Sequence, residues 1–189
     1  MDGKVSFPRA AGGLFILFAA SVVSNVGNQL YSWGIAPAMG LLIMSAGSIL
    51  LAVGLYRAGA DEPGFYQALL YAAVSMGVSR MSGCLQMELY YVSLLLYGAA
   101  LLLSLRAANL ACAAASRLLR LAGREPLAFL GGVVVKLNIV CYASAIVGML
   151  ALGMGIGLSY ALLIVSWLLT VVYLAFLFKA GRALQAGLD

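Results

Sequence analysis

The stretch that decides the fold lies at residues 35–56 and reads IAPAMGLLIMSAGSILLAVGLY. It contains no charged side chain, and its length matches the roughly 20 apolar residues that a transmembrane helix needs. In hydrocarbon every backbone N–H and C=O must be paired within the segment, so an apolar run of this length predicts a helix. The sequence therefore indicates a protein that is embedded in a membrane.

The composition of the whole chain agrees with this interpretation. Of its 189 residues, 65% are hydrophobic and only 9% are charged, and the mean hydropathy is +1.07. Soluble domains carry about 25% charged residues. A membrane β-barrel would instead show strands of about ten residues with alternating polar and apolar side chains. The sequence has no such alternation, so we expect spanning helices.

Five further apolar runs resemble the first, and turn residues separate them. The predicted spans cover about 10–31, 35–56, 65–84, 89–105, 136–153 and 159–178. We therefore predict an all-α integral membrane protein with a single domain over residues 1–189. The predicted fold is a bundle of six transmembrane helices, and this arrangement is compatible with three helical hairpins.

The Lys and Arg side chains indicate the orientation of this bundle. Ten of the eleven lie on one side of the six-span arrangement, if the fifth span begins at Lys136, and Arg80 alone lies on the other. Because Lys/Arg-rich loops stay in the cytoplasm, we expect both termini to be cytoplasmic. We expect the plasma (inner) membrane as the location. The net charge of +5 then favours membrane lipid, and not nucleic acid, as a partner.

The longest connection follows the fourth span and contains a cytoplasmic amphipathic segment at about 107–124. Arg117, Arg120 and Arg124 share one face of a helix there, and Leu118 and Leu121 lie on another. An interfacial helix directs its cations to lipid phosphates and its leucines to the acyl chains. We therefore predict that the three arginines contact lipid headgroups. The alternative is an anchor that only fixes the topology.

Polar residues within the spans mark the candidate site, because hydrocarbon makes them costly. They share one face of the first span, from Ser21 to Ser32, and one face of the third span, from Ser75 to Gln86. We predict an outward-facing pocket between these faces for a small anionic, zwitterionic or amphipathic solute. The predicted ligand-binding residues are Asn25, Asn28, Gln29 and Ser79, which offer neutral hydrogen bonds, and Arg80, which offers a positive charge.

The same polar faces have a second interpretation. Small and polar side chains let membrane helices approach closely and hydrogen-bond to each other. Gly40, Gly47 and Gly54 fit this role, since they follow one another at seven-residue spacing on the second span. Arg80 would then extend to the outer headgroups. In that case the chain would be a non-transporting accessory or regulatory protein that binds lipid, other membrane helices or a second copy of itself.

Several residue types that catalysis needs are missing. The chain has no histidine, and Cys84, Cys112 and Cys141 are too scattered for a paired motif. No Asp or Glu lies within a predicted span, so a carboxylate proton relay is excluded. No phosphate-binding glycine motif occurs. We therefore expect no enzymatic activity, no metal and no cofactor, and a transport or ligand-capture role competes with the accessory role.

Overall fold

The computed structural model describes residues 7–32, 34–85, 89–150 and 156–185. Within these ranges the chain forms helices and turns, and no strand. Six helices contain stretches that are long and apolar enough to cross a membrane. The predicted all-helical fold, with six helices long and apolar enough to span a membrane, is confirmed for the described residues. The helices are α1 (Pro8–Ser32), α2 (Pro37–Gly59), α3 (Gly64–Leu85), α4 (Tyr90–Leu121), α5 (Glu125–Leu150) and α6 (Ile156–Gln185).

The six helices form a ring in chain order. Each helix packs against the next one, and α6 returns to pack against α1. The most extensive contacts join α1 to α2 and α3 to α4, whereas α5 contacts α4 and α6 to a similar extent. The first two hairpins are therefore distinct units, and α5 is shared between its two neighbours.

Glycines allow α1 and α2 to lie in direct backbone contact. A Cβ atom at Gly13 would lie 2.7 Å from the carbonyl oxygen of Gly54, and one at Gly40 would lie 2.7 Å from the backbone nitrogen of Tyr31. Gly47 also faces the backbone of α1. Only a residue without a side chain fits at such distances, so the predicted close-packing role of Gly40, Gly47 and Gly54 is confirmed.

The hydrophobic core occupies one end of the ring, which we call the basic end. This end contains the starts of α1, α3 and α5 and the ends of α2, α4 and α6. At the opposite end, which we call the far end, the buried residues of the described part lie within hairpins, as Ser82 and Ser93 do between α3 and α4. The largest fully buried side chains of the basic end include Leu14, Phe65, Leu118, Val134 and Phe176.

A glycine turn at the basic end separates α4 from α5. Gly123 has a φ of 71°, its N–H donates to the carbonyl of Arg120, and the N–H of Arg124 donates to the carbonyl of Leu119. This pair of bonds is the Schellman arrangement that ends many helices at a glycine. The chain reverses within three residues here, because α4 ends at Leu121 and α5 begins at Glu125.

Both helices extend beyond the predicted membrane spans, since the fourth span was expected to end near residue 105 and the fifth to begin near residue 136. The segment 107–121 continues α4 as an unbroken helix, because its many alanines favour helix and it contains no proline or glycine. The sequence predicted this continuation for the Ala-rich first part of the segment. Pro126 lies in the first turn of α5, where the missing N–H costs nothing. It begins the helix and does not interrupt it.

Candidate functional site

A cavity of about 260 Å³ lies inside the ring, between the middle parts of all six helices. The wall of this cavity that faces the basic end is formed by the hydrophobic core, through Leu17, Leu55 and Ala111. We call it the central cavity. Seven of its lining residues carry hydroxyl groups, namely Ser21, Ser24, Ser48, Ser75, Ser104, Tyr142 and Tyr173.

Two of the cavity serines donate their protons to their own helices. The hydroxyl of Ser21 donates to the carbonyl of Leu17 at 2.9 Å, and that of Ser48 donates to the carbonyl of Met44 at 2.9 Å. This bond to the carbonyl four residues earlier is a common way for serine to satisfy its proton inside a helix. It fixes the hydroxyl without engaging a neighbouring helix.

Two further cavity serines join α3 to α4. The hydroxyl of buried Ser75 donates to the carbonyl of Ala100 at 2.8 Å and lies 2.7 Å from the hydroxyl of Ser104. A carbonyl oxygen can only accept, so the single proton of Ser75 goes to Ala100 and Ser104 donates to Ser75. None of the described residues that line the cavity carries a charge. The site therefore offers neutral hydrogen bonds inside an apolar bundle.

The predicted site residues of α1 lie outside this cavity. Asn25 and Gln29 line a separate groove of about 370 Å³ between α1 and α6, together with Trp167 and Val171. The side-chain amide of Asn25 donates to the carbonyl of Ser21 at 2.8 Å, so it is used within its own helix. Asn28 is exposed on the surface of α1.

The predicted residues of α3 are also separated from the cavity. Ser79 lines a pocket of about 340 Å³ between α3 and α4, where Tyr90 and Tyr97 contribute aromatic surface. Arg80 is exposed, and its Nη2 atom lies 3.4 Å from the hydroxyl of Ser45 on α2. The structure thus distributes the five predicted residues over a groove, a pocket and the surface, and it does not bring them together in one cavity.

The residues that do converge on the central cavity could be predicted only partly from the sequence. Ser21 and Ser75 belong to the two polar faces that the sequence indicated, one turn deeper than the residues selected there. Ser48 and Ser104 lie on the even-numbered helices and were missed, as were the two tyrosines. A single serine in an apolar helix is common, so only its position in the ring distinguishes these hydroxyls.

At the basic end, the loop between α2 and α3 binds two other helices, α1 and α4. The carboxylate of Asp61 accepts a hydrogen bond from the N–H of Ala10 at the start of α1, at 2.7 Å. The carboxylate of Glu62 forms an ion pair with Arg117 of α4 at 2.9 Å. Two acidic side chains therefore hold α1 and α4 at the end of the ring where the core is already dense.

The predicted amphipathic segment is different from the expected interfacial helix. Arg117, Arg120 and Arg124 are exposed, as the sequence suggested. Leu118, however, is only 1% exposed, whereas Leu121 is 65% exposed. Leu118 packs into the core because the segment is the last part of a bundle helix, so it does not face acyl chains.

Other kinds of site find little support in the described part of the chain. No group of three or more His, Cys, Asp or Glu side chains gathers among its residues in a way that could hold a metal ion. Every buried polar side-chain atom described has a hydrogen-bond partner. No family model, no characterised protein and no solved structure matches this chain.

Proposed function

We propose that the chain spans a membrane six times and binds a small solute in the central cavity, as a transport or ligand-capture component. The observation that carries this proposal is the convergence of serine and tyrosine hydroxyls from all six helices on one cavity. Polar groups in the apolar middle of a membrane bundle are energetically costly, so a cluster of them there indicates a functional site. Membrane transporters commonly bind their substrates at this depth.

The volume of the cavity supports a small solute. Ligand pockets usually measure about 300–1,000 Å³, and the central cavity of about 260 Å³ lies just below that range. The lining combines hydroxyls with apolar side chains such as Leu51 and Met76. Such a lining suits an amphipathic molecule better than a fully polar one.

Charge supports an orientation with the basic end in the cytoplasm of a plasma (inner) membrane. Of the ten Lys and Arg residues that are described, seven lie at the basic end and only Arg80 lies at the far end. Arg106 and Lys136 lie near the middle of α4 and α5. The 32 residues of α4 extend about 48 Å, well beyond the roughly 30 Å of hydrocarbon, so these two side chains can extend to the cytoplasmic headgroups.

The packing supports access from the far end. The core and the loop contacts of Asp61 and Glu62 close the basic end below the cavity. At the far ends of α1 to α4, the buried residues described there lie within hairpins rather than between them. In the proposed orientation, a solute therefore enters the central cavity from outside the cell.

The exposed arginines at the end of α4 and in the turn after it remain proposed lipid contacts. Arg117 shares its guanidinium with Glu62, and Arg120 and Arg124 are exposed at the same end. Each cation beside an anionic leaflet contributes about 1 kcal/mol to membrane attraction. The proposal includes no enzymatic activity, no cofactor and no nucleic acid.

The test is purification from the native membrane, followed by mass spectrometry of retained small molecules and proteins. We expect a small molecule at near-stoichiometric amounts. The Ala108→Leu variant places a larger side chain in the cavity from a half-buried position and is expected to lose that molecule. The Ala99→Leu variant, at an exposed position on the same helix, is its control and should retain it. Equal retention by both variants would contradict the proposal.

A second candidate function is that of an accessory membrane protein. The groove between α1 and α6 favours it, because an open apolar groove with a volume of about 370 Å³ suits a helix of a partner, a second copy of the chain or a lipid tail. Recovery of a stoichiometric partner protein and no small molecule, in the same purification, would favour this function over transport.

A further inference from the structure

We infer that the central cavity selects its solute by hydrogen-bond donors, and that it takes a small uncharged molecule with an N–H or O–H group on an apolar body. This inference rests on the proposed function, since it names the class of solute that the cavity would bind. It follows from the direction of the hydrogen bonds that the cavity serines make.

Ser21 and Ser48 present lone pairs to the cavity. A hydroxyl group has one proton and two acceptor lone pairs. Each of these serines gives its proton to the carbonyl four residues earlier, Leu17 for Ser21 and Met44 for Ser48. What remains for a solute at both positions is an acceptor.

Ser75 and Ser104, which link α3 to α4, have also used their protons within the protein. Ser75 donates to the carbonyl of Ala100, and Ser104 donates to Ser75. The hydroxyl of Ser104 has therefore used its proton and keeps its lone pairs. Four of the five cavity serines, Ser21, Ser48, Ser75 and Ser104, are committed as donors to the protein itself.

A donor and an acceptor solute would therefore meet different conditions. A solute N–H or O–H can add a hydrogen bond to one of these lone pairs without breaking any bond of the protein. At these four serines, a solute acceptor must compete with a backbone or serine oxygen for a proton that is already used. An ion finds no counter-charge among the described lining residues, and an unpaired charge in an apolar site is strongly disfavoured.

Of the anionic, zwitterionic and amphipathic solutes that the sequence suggested, this class corresponds to the amphipathic one. There, Arg80 pointed to an anionic or zwitterionic molecule. Arg80 lies against Ser45 on the outer surface of the bundle and not in the cavity lining. Leu17, Leu51 and Met76 supply the apolar wall for the rest of the molecule.

Indole and benzofuran are suitable probes, because they have nearly the same size and shape and differ in one group. Indole carries an N–H donor where benzofuran carries an oxygen. Binding of each is measured by ligand-observed NMR with the full-length protein in lipid nanodiscs, and the signal of empty nanodiscs is subtracted. We expect indole to bind about fivefold more tightly, which corresponds to one net hydrogen bond.

Serine variants assign this preference to the cavity. Ser21→Ala with Ser48→Ala removes two acceptors and leaves the link between Ser75 and Ser104 intact, so the indole preference should fall. Ser45→Ala is the control, because Ser45 also donates to the carbonyl four residues earlier, Leu41, but does not line the cavity. An indole preference that is unchanged in the double variant would overturn the inference.

The outcomes separate this inference from the proposed function. If indole and benzofuran bind equally and the Ala108→Leu variant abolishes both, the cavity binds solutes but the donor selectivity is wrong. If neither probe shows binding that depends on Ala108, the inference and the solute-binding role both fail. A preference for benzofuran would overturn the inference alone.

Discussion

The close backbone contact between α1 and α2 predicts that a small added side chain will destabilise the protein. In the Gly13→Ala variant, the new methyl group would lie 2.7 Å from the carbonyl oxygen of Gly54 and 2.8 Å from the backbone nitrogen of Ala58. Ordinary contacts begin near 3.4 Å, so the two helices have to separate by roughly 0.7 Å. Both contact atoms belong to backbone, and no flexible side chain can move aside. Overpacking of this kind costs about 1–3 kcal/mol.

Gly77→Ala is the matched control, since it introduces the same methyl group into a helix of the same protein. Nothing lies within 4 Å of a Cβ atom at Gly77. Alanine favours helix over glycine by up to about 1 kcal/mol, so this variant should be as stable as the wild type or more stable. The assay is unfolding in mixed detergent micelles, which is monitored by circular dichroism. Equal stability of the two variants would refute the close approach of α1 and α2.

Three further predictions concern other parts of the ring. The Arg80→Ala variant should retain the solute as well as the wild type does, because Arg80 lies outside the cavity lining; loss of the solute in mass spectrometry would favour the site predicted from sequence. Ser82 and Ser93 exchange hydrogen bonds between α3 and α4, so each alanine variant should lower the free energy of unfolding by about 0.6–2 kcal/mol. The free energy lost by the double variant should be smaller than the sum of the losses in the two single variants. Replacing Arg120 and Arg124 by Gln should lower the affinity of the detergent-solubilised protein for an anionic lipid about tenfold or more, as two cations of about 1 kcal/mol each imply, and an unchanged affinity in a lipid titration would contradict the lipid contact.

Much of the fold could be predicted because hydrocarbon leaves the chain few choices. The apolar runs around residues 35–56 and elsewhere had to form helices, and the spacing of Gly40, Gly47 and Gly54 indicated a close-packed seam that the structure contains. The helix ends between α4 and α5 were harder to predict. Pro126 is compatible with a break or with a first turn, and the turn at Gly123, which ends α4 before it, places it in a first turn.

The site was less predictable, because helical spacing fixes a face but not the neighbour of that face. Ser21 and Asn25 lie one turn apart on the same face of α1, yet Ser21 lines the central cavity and Asn25 lines the groove beside α6. Ser48 and Ser104 become important only because the ring brings them to the same cavity as Ser21 and Ser75. The order of helices in the ring, which the sequence does not contain locally, determines which hydroxyls meet.

The central claim is that the cavity is open toward the far end and closed by the core toward the basic end. Thiol labelling tests this claim most directly. In a background with Cys84, Cys112 and Cys141 replaced by Ala, the Ala108→Cys variant places a thiol in the cavity lining. The Ala114→Cys variant places one in the core on the same helix, at a position that is 0% exposed. A membrane-impermeant methanethiosulfonate is added to intact cells, and the variant that keeps only the exposed Cys84 is the positive control. We predict that the Ala108→Cys variant reacts and the Ala114→Cys variant does not; an unreactive Ala108→Cys variant, under conditions that label Cys84, would contradict the account.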